Sequence, residues 1–233
     1  MFVTRRNALP VPQFEALRSG LLSSPLVGRS TLAGPFQSSR GFSVTFRGEG
    51  RKTVESRFPQ LAPWLETVLG APATKAMVPW WAFGQTRKQL LERVPNAWYL
   101  NVLLVSEGGF VERHLDTTLQ KPAGVEEAYA PEMVSVLYLS VPRARGGGLQ
   151  LWDGHKPVTK VKPRERMAVH FRGDLAHAVE AFSGASEPEA VRASLVIEQY
   201  RFDDEALNRL PEFQLDSRAG FDAFLKLHAA RSG

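Results

Sequence analysis

Cysteine is absent from the 233-residue sequence. Its absence excludes disulfide bonds, zinc sites built from thiolates and a cysteine nucleophile. It also fits a reducing compartment, so we expect a cytoplasmic protein. The sequence also lacks an apolar run of the roughly 18–20 residues that a membrane-spanning helix needs, and we therefore expect no membrane partner.

Basic residues only slightly outnumber acidic residues in the sequence. Lys and Arg number 29 and Asp and Glu 24, which gives a formal net charge of +5. A nucleic-acid surface would need its basic residues clustered on one face, whereas here they are scattered along the chain. The composition therefore argues against a nucleic-acid partner, although two or three cations suffice for an anionic small molecule.

Residues 1–95 are predicted to form a mainly helical and looped lead-in that packs on the rest of the chain. The predicted elements are helices over 12–22, 56–69 and 86–93 and a strand over 42–46. The helix predictions follow from apolar residues at helical spacing, with Gly70 as a stop signal after the second helix. An aromatic cluster over 78–83 contains Trp81, which is either core packing or a wall of a substrate pocket.

Residues 96–233 carry a different pattern, that of short β-branched segments broken by Gly/Pro turns. The predicted strands cover 98–105, 110–116, 133–141, 149–152, 158–161, 167–171, 177–182 and 192–200. About eight strands at this spacing are typical of a β-sandwich or jelly-roll barrel. A helix is predicted over 217–230. We expect the lead-in and this β domain to form one globular unit.

His114 and Asp116 form a His-x-Asp pair that could bind a metal. Residues two apart on an extended strand point to the same face, so the imidazole and the carboxylate are presented side by side. Two histidines and one carboxylate on one face of a metal are the ligand set of non-haem Fe(II) oxygenases, which keep positions open for reactants. The candidates for the second histidine are His177 and His170.

Arg192 is the second candidate binding residue. An arginine inside an apolar β run is costly unless it is paired, and its planar fork matches a carboxylate. Ser194 lies two residues on and so shares its face. A dicarboxylate such as 2-oxoglutarate would chelate iron at one end and meet Arg192 and Ser194 at the other. The alternative is an internal ion pair of Arg192 with an acid such as Glu198.

These motifs occur in an order that resembles the Fe(II)/2-oxoglutarate-dependent oxygenase superfamily, and within it the prolyl-hydroxylase-like branch. The resemblance covers about residues 98–201. The residues that carry it are His114-x-Asp116, the strand 134–140, Gly147-Gly148-x-x-x-Trp152, His177 and Arg192-x-Ser194. His177 is preferred over His170 because 178–182 resembles the strand that follows the second histidine ligand in that superfamily.

The resemblance implies a double-stranded β-helix fold and a set of site roles. Fe(II) would be bound by His114, Asp116 and His177, and 2-oxoglutarate by Arg192, Ser194 and the Tyr138 hydroxyl, with O2 as the third reactant. His177 and Arg192 lie farther apart than is usual in the superfamily, which we attribute to a longer hairpin turn over 183–191. Asp116 argues against the halogenating members, which lack this carboxylate.

The implied function is a dioxygenase that hydroxylates an unactivated C–H bond of a small molecule, an amino acid or a peptide residue, releasing succinate and CO2. Trp152, His155 and Trp81 are candidates for lining the substrate mouth. One alternative is a cupin-like jelly-roll binding protein without turnover. Another is nucleic-acid dealkylation, but Arg201 follows Arg192 at a wider spacing than that branch shows. Nothing in the sequence specifies an oligomeric state.

Overall fold

The computed structural model describes residues 2–28, 39–69, 94–119, 130–187 and 189–217. The strands in chain order are β1 Phe2–Arg5, β2 Ser39–Arg47, β3 Ala97–Ser106, β4 Val111–His114, β5 Met133–Ser140, β6 Arg145–Gly146, β7 Leu149–Asp153, β8 Lys156–Val161, β9 Ala168–Arg172, β10 Ala176–Val179, β11 Phe182–Ser183, β12 Val191–Tyr200 and β13 Phe213–Ser217. The helices are α1 Val11–Leu22, α2 Gly50–Arg57, α3 Ala62–Leu69 and α4 Asp204–Arg209.

Two antiparallel sheets form the body of the fold. The large sheet has the strand order β1-β9-β5-β12-β3-β2-β13, and the small sheet has the order β4-β10-β7-β8. Strands β6 and β11 form a separate two-stranded ribbon. The predicted mainly β, jelly-roll class with a double-stranded β-helix core is confirmed, because most strands are short, antiparallel and buried on at least one face, with tight turns between them.

The central strand β12 separates two layers of packing. Its residues Ala193, Leu195 and Ile197 belong to the core that the large sheet forms with the helices. Its alternate residues, which include Arg192 and Ser194, line a pocket between the two sheets. This follows from the two-residue period of a strand, which sends neighbouring side chains to opposite faces. The face of β12 that lines the pocket therefore carries polar and charged side chains, which the apolar core on its opposite face could not accommodate.

The prediction of one continuous helix over 56–69 is wrong. Helix α2 ends at Arg57, a 3-10 turn covers Pro59–Leu61, and α3 begins at Ala62. Pro59 disfavours the helical conformation at the preceding residue, and Phe58 accordingly has φ −132° and ψ 66°. Phe58 is buried against Phe42 with ring centroids 5.8 Å apart, so the break places an aromatic ring in the core. The predicted helix over 12–22 is confirmed as α1.

The lead-in contributes strands as well as helices to the fold. β1 pairs with β9, and β2 lies between β3 and β13 in the large sheet. The strand prediction over 42–46 is thus confirmed and extended. Strand β13 and helix α4 were not predicted. The helix predicted over 86–93 and the aromatic cluster 78–83 lie outside the described residues. Ser217 is the last residue of β13, and the rest of the helix predicted over 217–230 also lies outside the described residues.

Within the described ranges, no helix combines the length and apolar character needed to span a lipid bilayer.

Candidate metal centre

Strand pairing in the small sheet brings His114 and His177 together. His114 is the last residue of β4, and its Cα partner in the antiparallel register is His177 on β10. The two imidazole centroids lie 4.3 Å apart. Asp116 follows two residues after His114, just beyond the end of β4, and is buried. The small sheet thus brings together three side chains that come from two distant parts of the chain.

The three side chains are spaced as metal ligands. His114 Nε2 lies 3.4 Å from Asp116 Oδ1, and His177 Nε2 lies 3.5 Å from Asp116 Oδ2. One ligand atom from each residue falls within 4.8 Å of the other two. Metal–ligand bonds of about 2.1 Å at right angles separate two ligand atoms by about 3 Å, so a small closure of the side chains suffices to bind an ion.

Backbone carbonyls set the tautomer of both histidines. His114 Nδ1 lies 2.7 Å from Glu112 O, and His177 Nδ1 lies 3.2 Å from Leu175 O. Because a carbonyl oxygen only accepts, each Nδ1 donates its hydrogen there. Each Nε2 then presents a lone pair toward Asp116. A hydrogen bond from Nδ1 to a backbone carbonyl is a common way in which proteins orient neutral imidazole ligands.

The electrostatics of the cluster favour a cation. Burial raises the pKa of Asp116, but the charge of protonated His177, together with the hydrogen bond and charge of protonated His114, outweighs burial and lowers the pKa below its ordinary value. A bound metal ion takes the place of these protons. Among the described residues, Asp116 Oδ2 has no hydrogen-bond partner. A buried carboxylate is costly without a counter-charge. Two neutral imidazoles and one ionised carboxylate therefore fit a divalent metal ion in this position.

His170 does not join the cluster. It lies on β9, on the face of the large sheet that packs against the helices, where its Nδ1 is 2.8 Å from Ser135 Oγ and its ring stacks on Trp64. Burial lowers the pKa of His170 to about 4, with the charge of Arg5 adding to this effect. Of the two histidines that the sequence left open, only His177 faces Asp116.

The pocket beside the cluster is mostly apolar. Its polar lining consists of the metal-ligand candidates, Arg192, Ser194, Asn101 and Glu198. The apolar lining consists of Leu103, Val105, Val111, Val136, Leu149, Val179 and Val196. Such a cavity, with a few convergent polar groups, is the usual form of a small-molecule site.

Arg192 is buried in this pocket beside Tyr138. The Arg192 guanidinium carbon lies 5.1 Å from the centroid of the Tyr138 ring, and Ser194 is the Cα partner of Tyr138 in the pairing of β12 with β5. Burial raises the pKa of the Tyr138 hydroxyl, with the charge of Arg192 and a hydrogen bond from Arg192 acting in the opposite direction. Among the described residues, Arg192 Nε has no hydrogen-bond partner. An anion beside these two residues would accept hydrogen bonds from Arg192 and from the Tyr138 hydroxyl.

Glu198 does not pair with Arg192, so the alternative of an internal ion pair is not realised among the described residues. Its carboxylate accepts from Thr118 Oγ1 at 3.1 Å and from the Tyr200 hydroxyl. Burial, followed by the negative charge of Asp116, raises the pKa of Glu198 well above its ordinary value. Glu198 and Asn101 line the pocket but were not among the predicted site residues. The two-residue period from Arg192 and Ser194 could have indicated Glu198.

Trp152 and His155, two of the three predicted substrate residues, do not line this pocket. Trp152 packs on the outer side of the small sheet, where the Arg113 guanidinium carbon lies 4.8 Å from its ring centroid. His155 is exposed in the turn between β7 and β8. Trp81 lies outside the described residues. Their roles at a substrate mouth remain predictions.

No protein-family model matches the chain, and no curated protein matches it in sequence. Solved structures do match it in fold. A prolyl-4-hydroxylase from Pseudomonas putida is 18% identical with a TM-score of 0.58, and the match covers 87% of this chain and 93% of that one. A 2OG-Fe(II) oxygenase family oxidoreductase from Burkholderia pseudomallei is 14% identical with a TM-score of 0.53, over 87% and 86% of the two chains.

A third match is a prolyl hydroxylase from Trichoplax adhaerens, solved with a peptide fragment of the hypoxia inducible factor oxygen degradation domain. It is 13% identical with a TM-score of 0.53, and the match covers 85% of this chain and 83% of that one. At these identities the likeness establishes the fold. The chain therefore has the fold of the Fe(II)/2-oxoglutarate-dependent oxygenases, and prolyl hydroxylases are among its structural neighbours.

Proposed function

We propose that the chain is an Fe(II)- and 2-oxoglutarate-dependent dioxygenase that hydroxylates an unactivated C–H bond of a small molecule, an amino acid or a peptide residue. The observation that carries the proposal is the placement of a buried Arg192 in the same pocket as the His114, Asp116 and His177 cluster. A fold shared with 2-oxoglutarate oxygenases supports it, but fold alone does not determine function.

Each residue has a defined role in this proposal. His114 and His177 would hold Fe(II) through Nε2, and Asp116 would hold it through a carboxylate oxygen, which would leave room on the ion for reactants. Arg192 binds the far carboxylate of 2-oxoglutarate, with the Ser194 and Tyr138 hydroxyls donating to the same group. The apolar lining excludes water from the reacting groups. The bound metal and cosubstrate supply the oxidising chemistry, in which 2-oxoglutarate and O2 are consumed and succinate and CO2 are released.

The test is an anaerobic titration of the metal-free protein with Fe(II) and then with 2-oxoglutarate, followed by the weak visible charge-transfer band of the chelate. His177→Ala should abolish the band. Arg192→Ala should retain it but require at least about thirtyfold more 2-oxoglutarate, since a buried charge pair would lose one partner. His170→Gln is the matched control, because it changes a buried histidine outside the cluster and should keep the wild-type titration.

Absence of the band in the wild-type protein would overturn the proposal. The protein would then be treated as a cupin-like jelly-roll binding protein without turnover. If the band forms, succinate release in the presence of O2 measures turnover, and compounds that stimulate this release identify the substrate.

A further inference from the structure

The pocket face of β12 continues past the proposed cosubstrate anchor. Arg192, Ser194, Val196 and Glu198 alternate along the strand, and all four line the same pocket. Six residues of extended chain span about 20 Å, which exceeds the length of a 2-oxoglutarate molecule. Glu198 therefore lies at the opposite end of the pocket from Arg192. The pocket has one end with a cation and one end with hydrogen-bond acceptors.

Glu198 has hydrogen-bonding capacity that its protein partners do not use. The side chain is buried, with 2% of its residue surface exposed. Thr118 and Tyr200 each donate one hydroxyl to it, through different carboxylate oxygens. An ionised carboxylate offers about four lone-pair sites. Two acceptor sites of Glu198 therefore remain for a donor that enters the pocket.

Asn101 supplies a second acceptor at the same end. It lies on β3, where its Cα partner on β12 is Val196, two residues before Glu198. Asn101 is 5% exposed, and its Oδ1 has no hydrogen-bond partner among the described residues. A buried amide oxygen without a partner costs free energy that a bound donor would recover. Within the described chain, neither Thr118 nor Tyr200 hydrogen-bonds to Asn101 Oδ1.

The charges in the pocket select the kind of donor. A divalent metal, Asp116, a 2-oxoglutarate dianion and Arg192 cancel one another in formal charge. Glu198 is the remaining acid of the pocket, and the burial that raises its pKa favours its neutral form while no cation lies beside it. A neutral donor would leave Glu198 in that form and form only an ordinary hydrogen bond. A cationic donor would supply the counter-charge that favours the ionised form, and it would form a stronger, charge-assisted hydrogen bond.

We propose that Glu198 and Asn101 form the substrate subsite and that they bind a protonated nitrogen group, an ammonium or a guanidinium, of the molecule that is oxidised. This inference rests on the proposed dioxygenase function. Glu198 accepts the charge-assisted hydrogen bond, and Asn101 Oδ1 accepts a second N–H of the same group. The subsite makes a basic amino acid, an amine or a basic peptide side chain the substrate class.

A positioning role for Glu198 is the competing explanation. Thr118 is two residues after Asp116, so the contact of Thr118 with Glu198 also holds the segment that carries the metal-ligand candidate. Glu198→Gln separates the two roles. Glutamine can accept from Tyr200 and donate to Thr118, so it keeps the contacts that position the segment. It removes the negative charge that would bind a cation.

The experiment measures binding to the protein loaded anaerobically with Fe(II) and 2-oxoglutarate. The probes are n-butylammonium and n-butylguanidinium, compared with 1-butanol and n-butylurea, and an arginine-containing tripeptide compared with its citrulline counterpart. Isothermal titration calorimetry and the change in the chelate band provide the readouts. We expect at least one cationic probe to bind about tenfold or more tightly than its neutral counterpart. Glu198→Gln should remove this preference, and Asn101→Leu should reduce it.

Tyr200→Phe is the matched control, since it removes a hydroxyl from Glu198 and leaves the carboxylate in place, and it should keep the preference for cations. Binding of the tripeptide but not of the free bases would identify a peptide side chain as the source of the cation. The inference is overturned if the wild-type protein shows no preference for cations, or if Glu198→Gln retains it. Failure of the proposed function is a separate result, because the chelate band would then be missing before any probe is added.

Discussion

His114 and His177 face the same carboxylate but differ in their proton affinity. Burial lowers the pKa of His114, but its hydrogen bond with Asp116 and the charge of Asp116 outweigh burial, so its pKa lies above 6.5. Burial lowers the pKa of His177 and prevails over the opposing charge of Asp116. The metal-free site therefore carries its extra proton on His114 in mildly acidic solution.

This difference predicts how metal binding depends on pH. A metal ligand must be a neutral imidazole, so the His114 proton has to leave when the ion binds. As the pH falls through the raised pKa of His114, metal affinity should decrease by about tenfold per pH unit, and the decrease should begin above pH 6.5. Calorimetric titration of the metal-free protein with Mn(II) between about pH 5.5 and 8 measures this dependence of metal affinity on pH. An affinity that stays constant down to pH 6.5 would contradict this assignment.

At the level of elements, the ribbon of β6 and β11 lies beside Arg192. Gly146 pairs with Phe182 in this ribbon and has φ +83°. A Cβ atom at Gly146 would lie 2.2 Å from the carbonyl oxygen of Ala181, and one at Gly147 would lie 3.7 Å from Arg192 Cδ. The consecutive glycines thus let the backbone approach both β11 and the guanidinium side chain.

We expect Gly146→Ala to destabilise the protein by about 3 kcal/mol and to weaken 2-oxoglutarate binding, because alanine brings both an unfavourable φ and a collision with the Ala181 carbonyl oxygen just before β11. Gly154→Ala is the control. Gly154 has φ +54°, but a Cβ there meets no atom within 4 Å, so its cost should be limited to about 1 kcal/mol of backbone strain. Urea unfolding of both variants measures the difference, and equal costs would show that the contact with Ala181 has no effect.

Helices α2 and α3 are separate, although the helical spacing of apolar residues predicts one continuous helix. Apolar residues recur at helical spacing across residues 58–69, and this periodicity favoured one continuous helix. Pro59 breaks the helix after Arg57, whereas Pro63 lies in the first turn of α3, where a missing N–H is tolerated. The two prolines differ in effect because of where each falls relative to a helix start.

At the level of the whole molecule, the lead-in is part of the body that holds the pocket. β2 hydrogen-bonds to β3 along its whole length, and β3 carries Asn101. Helices α1 and α3 cover the outer face of the large sheet with buried side chains, which include Phe14, Leu17, Trp64 and Leu65. The division at residue 95 therefore separates two parts of the sequence that share one sheet and one core.

A truncated chain that begins at residue 96 should fail to fold. It would expose the edge of β3 and the apolar outer face of the large sheet, and such surfaces favour aggregation. Near-ultraviolet circular dichroism and urea unfolding, compared with the full chain, measure this. A truncated chain with a cooperative transition and an intact chelate band would instead establish residues 96–233 as an independent domain.

The strands and most of the site were predictable from local patterns. Strand length, β-branched residues and Gly/Pro turns specified the sheet segments, and the His-x-Asp spacing with Arg192-x-Ser194 indicated a metal and an anion site. These features are encoded within a few residues of one another, so a linear reading can find them. The pairing order of the strands is not encoded locally, since β1 and β13 depend on partners far along the chain.

Three features depended on the assembled sheets. The choice of His177 over His170 follows from which face of a sheet each histidine occupies, and the pairing of β10 with β4 determines that face. The partners of Glu198 come from the segment after Asp116 and from β12 itself, so its freedom to bind a cation is visible only once those segments meet. The burial of Asn101 follows from packing of one sheet on the other. Residue types and their spacing specify which chemistry is available to this protein, whereas long-range packing specifies which of those residues share a pocket.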